Sequence, residues 1–392
     1  MPGDTLSRWK EQLGHGLREL QKQHQRRSLG VVRGVDFCSN DYLGLAGRPE
    51  LKDAVVRGMQ KAPRVGGTAS RLLSGHTEGW QELEEEFAEF AGTEAALFFS
   101  SGYSANVGLL SSLVGPDDVV YSDVLNHASL IDGMRLSGAR KVIYPHLDLR
   151  ALEHSLGQDA GAPWRRIIVT ESVFSMNGDV APLKEMATLA ERFGAAMIVD
   201  EAHATGVFGK GGRGLVVETG VLSQVLATVH TCGKALASAG ALVCGPTVLK
   251  DHLVNHARTF IFSTAMPPYF AEQIRAAVRL ASGMDTERLE LLRRARDLAR
   301  KLRKDGFDTG GSDSQIVPVV IGSNEETLDA AAALQREGFA VRAIRPPTVP
   351  TGKARLRLSL TLNIAEEQLD RLLKVLVHWR EQRSARPAAR FA

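Results

Sequence analysis

Three short stretches of this chain carry side chains suited to chemistry rather than packing. The apolar run AAMIV, residues 195–199, ends on Asp200, and His203 follows three positions later. Lys234 stands in TCGKALASAG, a Gly/Ala/Ser-rich stretch just after the apolar run VLATV, and SSGYSAN, residues 100–106, is a small-residue turn after AALFF. A carboxylate at the carboxyl end of a strand points into the crevice where open α/β sheets bind ligands. It is costly there unless a cation or a hydrogen-bond donor meets it. The protonated ring nitrogen of pyridoxal 5'-phosphate is one such partner, because a buried acid keeps that nitrogen charged and the ring able to accept electrons. The same cofactor needs a lysine amine, and the tight turn around Lys234 suits an amine of lowered pKa. It also needs a phosphate cradle, which a small-residue turn opening a helix supplies through its N-terminal amides. Each stretch alone is a weak signal; the order Gly turn, Asp-x-x-His, Lys in one chain is a much stronger one.

The elements that must hold these residues alternate in period. Apolar runs at AALFFS, DVVYS, KVIYP, RRIIVTES, AAMIVDEA and GALVCG are separated by helix-length segments such as PLKEMATLAERFG. That texture predicts an α/β fold around a largely parallel sheet. Residues 8–27 read as a charged helix ending in Arg26 and Arg27, and residues 79–91 as a solvated amphipathic helix with Leu83, Phe87 and Phe90 on one face. After about residue 283 a long charged helix, IVPVVIG, a further helix, RLRLSL and a last helix predict a smaller α+β domain. The expected division is an N-terminal helical extension over 1–45, a large α/β domain over 46–283 and a small domain over 284–392, with the tail SARPAARFA frayed.

Composition narrows the function classes. The 392 residues are 44 % apolar with a net charge of only +3, a bias too small to argue for nucleic acid or an anionic membrane surface. The start, MPGDTLSRWKEQLGHGLREL, lacks an apolar core of signal-peptide length, so a cytoplasmic protein is expected. Cys38, Cys232 and Cys244 are scattered, which suggests neither a disulfide frame nor a metal site. GKGGRG, residues 209–214, satisfies G-x-G-x-x-G but follows the strand by several residues, and no GK dipeptide has a Walker context, so neither a nicotinamide nor a nucleotide-hydrolysing enzyme is expected.

SNDYLGL, SSGYSANVG, LNHASLIDG, ESVFSMNGD, VDEAHATGVFG, GKALASAGA, NHARTFIFST and AIRPPTVPTGKARLRLSLT together resemble the α-oxoamine synthases. These are fold-type I pyridoxal phosphate transferases that join an amino acid to an acyl thioester with loss of carbon dioxide. The resemblance runs from about residue 15 to about 376, and it implies a homodimer in which GGTASRLLSGH, residues 66–76, approaches the partner's cofactor. It implies that Lys234 holds the cofactor and then removes the Cα proton, and that Asp200 pairs with the ring nitrogen. His203 and Ser175 are implied at the phenolic oxygen, His127 on the ring face and near the thioester carbonyl, and Gly102, Tyr103 and Thr231 at the phosphate. Asn40 and Arg357 are implied to grip the amino-acid carboxylate, and Arg27, with Arg345 and Thr348, to face the acyl substrate. The IRPPTVP segment resembles the branch that joins L-alanine to a pimeloyl thioester, on CoA or on an acyl carrier protein. A sister activity joining glycine to acetyl-CoA uses the same machinery and stays open.

Plainer readings stand beside these. His127, between Asn126 and Ser129, is also placed to cap a helix, and Ser175 to make a turn with Asn177 and Gly178. Arg355 and Arg357 alternate along one strand face, where they could serve solubility alone. Arg26 is a neighbour able to replace Arg27. The family often has a histidine within the segment read here as EGWQELE, where this chain has Trp80.

Overall fold

The computed structural model describes residues 4–159 and 161–384, so most of the tail expected to fray lies outside the described residues. The apolar runs form one seven-stranded sheet: β1 Ala95–Phe99, β2 Asp118–Asp123, β3 Arg140–Tyr144, β4 Arg165–Glu171, β5 Ala195–Asp200, β6 Val225–Thr231 and β7 Ala241–Gly245. Their order is β1-β7-β6-β5-β4-β2-β3, with β7 antiparallel to both neighbours and the other pairs parallel. VLATV, noted in the sequence only as an apolar run, is the body of β6.

Strand periodicity sorts the core into two layers. Phe98, Tyr121, Ile168, Met197 and Leu242 pack on one face, whereas Leu97, Phe99, Val120, Val169, Ile198 and Val243 pack on the other. Successive side chains on a strand point to opposite faces, so one chain order fills both layers. The second layer is closed by the helices Gly102–Leu113, Ala128–Ser137 and Thr247–His256, which contribute Leu109, Leu130 and Leu253. Counting in twos from Val169, Ile198 and Val229, the last residues Glu171, Asp200 and Thr231 lie on this same face. Three adjacent parallel strands thus present three polar residues at their carboxyl ends, beside the start of the Gly102 helix.

After Gly283 the chain forms the helix Asp285–Lys304, then β8 Ile316–Gly322, the helix Asn324–Arg336, β9 Ala343–Ile344, β10 Ala354–Ser359 and the helix Glu366–Ser384. β9, β10 and β8 make an antiparallel sheet in that order. Val35–Asp36 pairs in parallel with Phe339–Ala340, which ties the N-terminal segment to this C-terminal unit.

One helix reading is corrected and another refined. The first helix spans Asp4–Lys22, so Arg26 and Arg27 lie beyond its end. The helix Glu78–Ala91 is amphipathic as read, with Leu83 and Phe87 buried and Glu82, Glu85 and Glu89 exposed, but its buried face is wider than expected: it includes Trp80, which stacks on Phe98 with ring centroids 4.4 Å apart. Glu84 is buried too; its carboxylate accepts from Arg71 Nη2 and from Lys250 Nζ, each at 3.0 Å, and from the Phe98 amide. An acid inside the apolar layer is tolerated because two cations and an amide meet it. Among the described residues no helix is long and apolar enough to cross a membrane.

Candidate active site

A cavity of about 250 Å³ opens at the carboxyl ends of β4, β5 and β6. Asp200, His203, His127, Lys234, Thr231, Gly102 and Tyr103 all line it, although they come from separate segments of the chain. The cavity is also lined by Asn106, Ser129 and Glu171, to which the sequence reading gave no role.

Asp200 is buried and receives two donors. Asn106 Nδ2 donates to its Oδ2 at 2.7 Å and the Ala202 amide to its Oδ1 at 2.9 Å. Asn106 Nδ2 also donates to Ser129 Oγ at 2.9 Å, so the Gly102 helix and the Ala128 helix are both tied to the acid. Glu171 is the register partner of Asp200 on the neighbouring strand. Burial, and then the charge of Asp200, push its carboxyl up to about 8, with Lys234 partly opposing. Lys234 is pushed down from the ordinary amine value by burial; Asp200 and Glu171 oppose this and Arg357 adds to it. A lysine held this way has more neutral amine at neutral pH than an exposed one.

His127 is both things the sequence left open. It caps the helix Ala128–Ser137, its Nδ1 accepting from the Ser129 amide at 3.2 Å, and it lines the cavity. Burial lowers its pKa, Asp200 opposing and Lys234 reinforcing, so the imidazole is neutral at pH 7. His203 is lowered much further by burial and by Lys234, Arg357 and His127. Its Nδ1 lies 2.6 Å from the Tyr42 hydroxyl, which is 3.0 Å from Asn40 Oδ1.

Arg355 and Arg357 are both buried, so the solubility reading for them fails. Arg357 donates from Nη1 to Asn40 Oδ1 at 3.1 Å and to Ser359 Oγ at 2.6 Å, and from Nε to the Ser175 carbonyl at 2.6 Å. Asn40 and Arg357 therefore form one cluster, joined to the cavity by Tyr42 and His203. Ser175 does not line the cavity; its backbone holds Arg357, and its amide donates to Glu171 Oε2 at 3.3 Å. Arg27 Nη2 donates to Thr348 Oγ1 at 2.9 Å, which brings together two residues 321 positions apart. Arg345 lies beside them, with Nη1 donating to the His24 carbonyl and Nε buried without a partner.

The loop that carries Ser175 is fixed by a residue that sequence reasoning passed over. His146 places Nδ1 3.0 Å from Asp123 Oδ1 and Nε2 2.9 Å from Asp179 Oδ2, between the end of β2 and the far side of the loop. Phe174 and Asp179 close that loop, the Phe174 amide donating to the Asp179 carbonyl at 2.9 Å.

The residues fit pyridoxal 5'-phosphate. Two buried polar atoms on the cavity wall, Asn106 Oδ1 and Glu171 Oε1, have no protein partner, which marks a polar site prepared for a polar guest. At the other end Ser101 caps the Gly102 helix, with a capping box through Ser104. The first-turn amides of Gly102 and Tyr103 are left without intrahelical partners, as a phosphate requires. Gly102 is required by space: a Cβ there would come 2.5 Å from Thr231 Cγ2. By contrast GKGGRG is structural, because a Cβ on Gly214, at φ +101°, would lie 1.7 Å from Glu201 Oε2. A larger groove of about 420 Å³, between the helix Asn324–Arg336 and the C-terminal helix, offers surface cations such as Arg336 and Lys374 but none of the cofactor-binding set.

The sequence matches the family described as Aminotransferase class I and II over residues 32–376. It is 45 % identical over 359 residues to the 8-amino-7-oxononanoate synthase of Citrifermentans bemidjiense, covering 88 % of this chain and 92 % of that one. The serine palmitoyltransferase of S. paucimobilis, solved with a bound PLP–myriocin aldimine, superposes with a TM-score of 0.88 at 28 % identity over 98 % of this chain and all of that one. The 8-amino-7-oxononanoate synthase of Francisella tularensis superposes with a TM-score of 0.78 at 28 % identity, over 90 % of this chain and 99 % of that one.

Proposed function

The chain belongs to the aminotransferase class I and II family, and from that premise we propose that it condenses L-alanine with a pimeloyl thioester to give 8-amino-7-oxononanoate, carbon dioxide and free thiol, a step of biotin biosynthesis. The observation that carries this reading is the convergence of Asp200, His203, His127 and Lys234 on one cavity, with the Arg357–Asn40 pair joined to it through Tyr42.

Pyridoxal 5'-phosphate is the cofactor. When bound, it supplies an electron-accepting ring that stabilises negative charge on the amino-acid Cα. Lys234 would hold it covalently, Asp200 would meet its ring nitrogen and His203 its phenolic oxygen. His127 would lie against its face, with Gly102, Tyr103 and Thr231 at its phosphate. Ser175, off the cavity wall, would act through the carbonyl that holds Arg357.

The chain's own groups then divide the work. Arg357 and Asn40 would orient the alanine carboxylate, a guanidinium fork suiting that anion. Lys234 Nζ, with its lowered pKa, would take the Cα proton as a neutral base. His127, neutral and on the cavity wall, would donate a hydrogen bond to the thioester carbonyl as charge develops on its oxygen. The new C–C bond replaces the C–S bond and the thiol leaves; loss of the alanine carboxylate as carbon dioxide and reprotonation at Cα complete the balance. Arg27 and Thr348, already paired, would face the far carboxylate of the acyl chain, with Arg345 beside them.

A cytoplasmic homodimer completes the proposal. Support for the dimer is an apolar stripe on the first helix, where Leu6, Trp9, Leu13, Leu17 and Leu20 are exposed, together with exposed Leu72 and Leu73 in the 66–76 segment. The acyl group would arrive on CoA or on an acyl carrier protein. Complementation tests the whole reading: the gene should restore growth without biotin to a strain lacking 8-amino-7-oxononanoate synthase, and its Lys234→Ala variant should not. Failure of the wild-type gene, expressed and soluble, would overturn it.

A further inference from the structure

We propose that Tyr42 is a positioning residue that fixes the tautomer of His203, so that Nδ1 is the acceptor of the pair and Nε2 carries the hydrogen that faces the cavity. This rests on the cofactor reading above, which gives His203 an oxygen to meet.

The Tyr42 hydroxyl has one proton and two acceptors within reach, His203 Nδ1 at 2.6 Å and Asn40 Oδ1 at 3.0 Å. The competition is settled by the other donors. Asn40 Oδ1 already receives Arg357 Nη1 at 3.1 Å and the Ser359 hydroxyl at 3.3 Å, which engages both of its lone pairs. The Ser359 hydroxyl is free to donate there because its own oxygen accepts from Arg357 Nη1 at 2.6 Å. No other donor reaches His203 Nδ1 among the described residues. The Tyr42 proton therefore goes to the shorter contact, His203 Nδ1.

His203 is neutral in this setting, since burial and the nearby cations Lys234 and Arg357 disfavour the imidazolium. A neutral imidazole has one N–H. With Nδ1 accepting from Tyr42, that hydrogen is on Nε2, and because Nδ1 is turned to Tyr42 it is Nε2 that is left for the cavity His203 lines. The Gln315 side chain donates to the His203 carbonyl at 2.8 Å and fixes the backbone behind the ring. Tyr42 is wholly buried, so water does not substitute for its hydroxyl. Without that hydroxyl the ring would be free to protonate Nδ1 and to turn an acceptor toward the cavity, the wrong polarity for meeting an oxygen anion.

The test uses full-length protein labelled with ¹⁵N-histidine and loaded with pyridoxal phosphate, with His203 assigned by difference from a His203→Asn sample. Two-bond ¹⁵N–¹H spectra should show His203 Nδ1 unprotonated and Nε2 protonated. Tyr42→Phe should shift His203 toward a mixture of tautomers and lower kcat about tenfold while changing KM for alanine less than threefold. A protonated Nδ1 in the wild type would overturn the proposal, as would a Tyr42→Phe protein that is folded by circular dichroism and keeps the wild-type His203 resonances. The tautomer is read without substrate, so failure of the alanine and pimeloyl assignment leaves this result standing on its own.

Discussion

His146 offers a prediction whose size follows from the structure. Burial alone would lower the imidazole pKa, but the hydrogen bonds and charges of Asp123 and Asp179 outweigh it and raise it from 6.5 to about 9. Such a group stabilises the folded state fully below pH 6.5, and the stabilisation is lost as pH rises through 9. At about 1.4 kcal/mol per pKa unit the clamp corresponds to about 3 kcal/mol. The side chain is 21 % exposed, so solvent screening trims this to about 2–3 kcal/mol. His146→Gln removes the charge while keeping one side-chain hydrogen bond. Urea unfolding of the cofactor-free protein at pH 6 and pH 9.5 should show the wild type losing about 2–3 kcal/mol more than the variant over that interval. Glu171 and Glu201, whose carboxyls burial raises to about 8, titrate in both proteins and cancel in the comparison. Equal pH dependence in the two proteins would refute the clamp.

Other substitutions probe the cavity itself. Gly102→Ala should weaken pyridoxal phosphate binding at least tenfold by fluorescence titration, because the new methyl meets Thr231 Cγ2 at 2.5 Å, and unchanged affinity would contradict the phosphate assignment. Arg357→Lys should raise KM for alanine about ten- to a hundredfold, since a lysine cannot reproduce three donor contacts from one planar fork; an unchanged KM argues against the carboxylate grip. Glu171→Gln should abolish a pH effect of definite sign. With a folded pKa of about 8 against 4.5, the wild type keeps this contribution below pH 4.5 and loses it as pH rises through 8. The variant should therefore show a smaller drop in melting temperature between pH 5 and pH 8.5.

The sequence made legible the residues whose function imposes a local pattern. Asp200 ends an apolar strand, Lys234 sits in a small-residue turn and SSGYSAN opens a helix, so each stretch announced itself before any tertiary contact was known. What stayed hidden depends on contacts between distant segments. Asn106 was quoted inside its motif, yet its bond to Asp200 spans 94 positions. The Tyr42 bond to His203 spans 161 positions, and His146 bridges two acids from different elements. Glu171 looked like the last residue of a strand until register set it beside Asp200. In the Glu78–Ala91 helix it was the burial of Glu84 that stayed hidden, because acids on a helix ordinarily mark a wet face and only the tertiary structure brings Arg71 and Lys250 to this one.

Thiol release is the most direct measurement of what the cavity does. The cofactor-loaded protein would be supplied with L-alanine and pimeloyl-CoA, beside glycine with acetyl-CoA and a control without amino acid. Alanine-dependent release from the pimeloyl thioester, absent in Lys234→Ala, is the expected result. Release with glycine and acetyl-CoA in its place would contradict the substrate assignment, and full activity in Lys234→Ala would contradict the site.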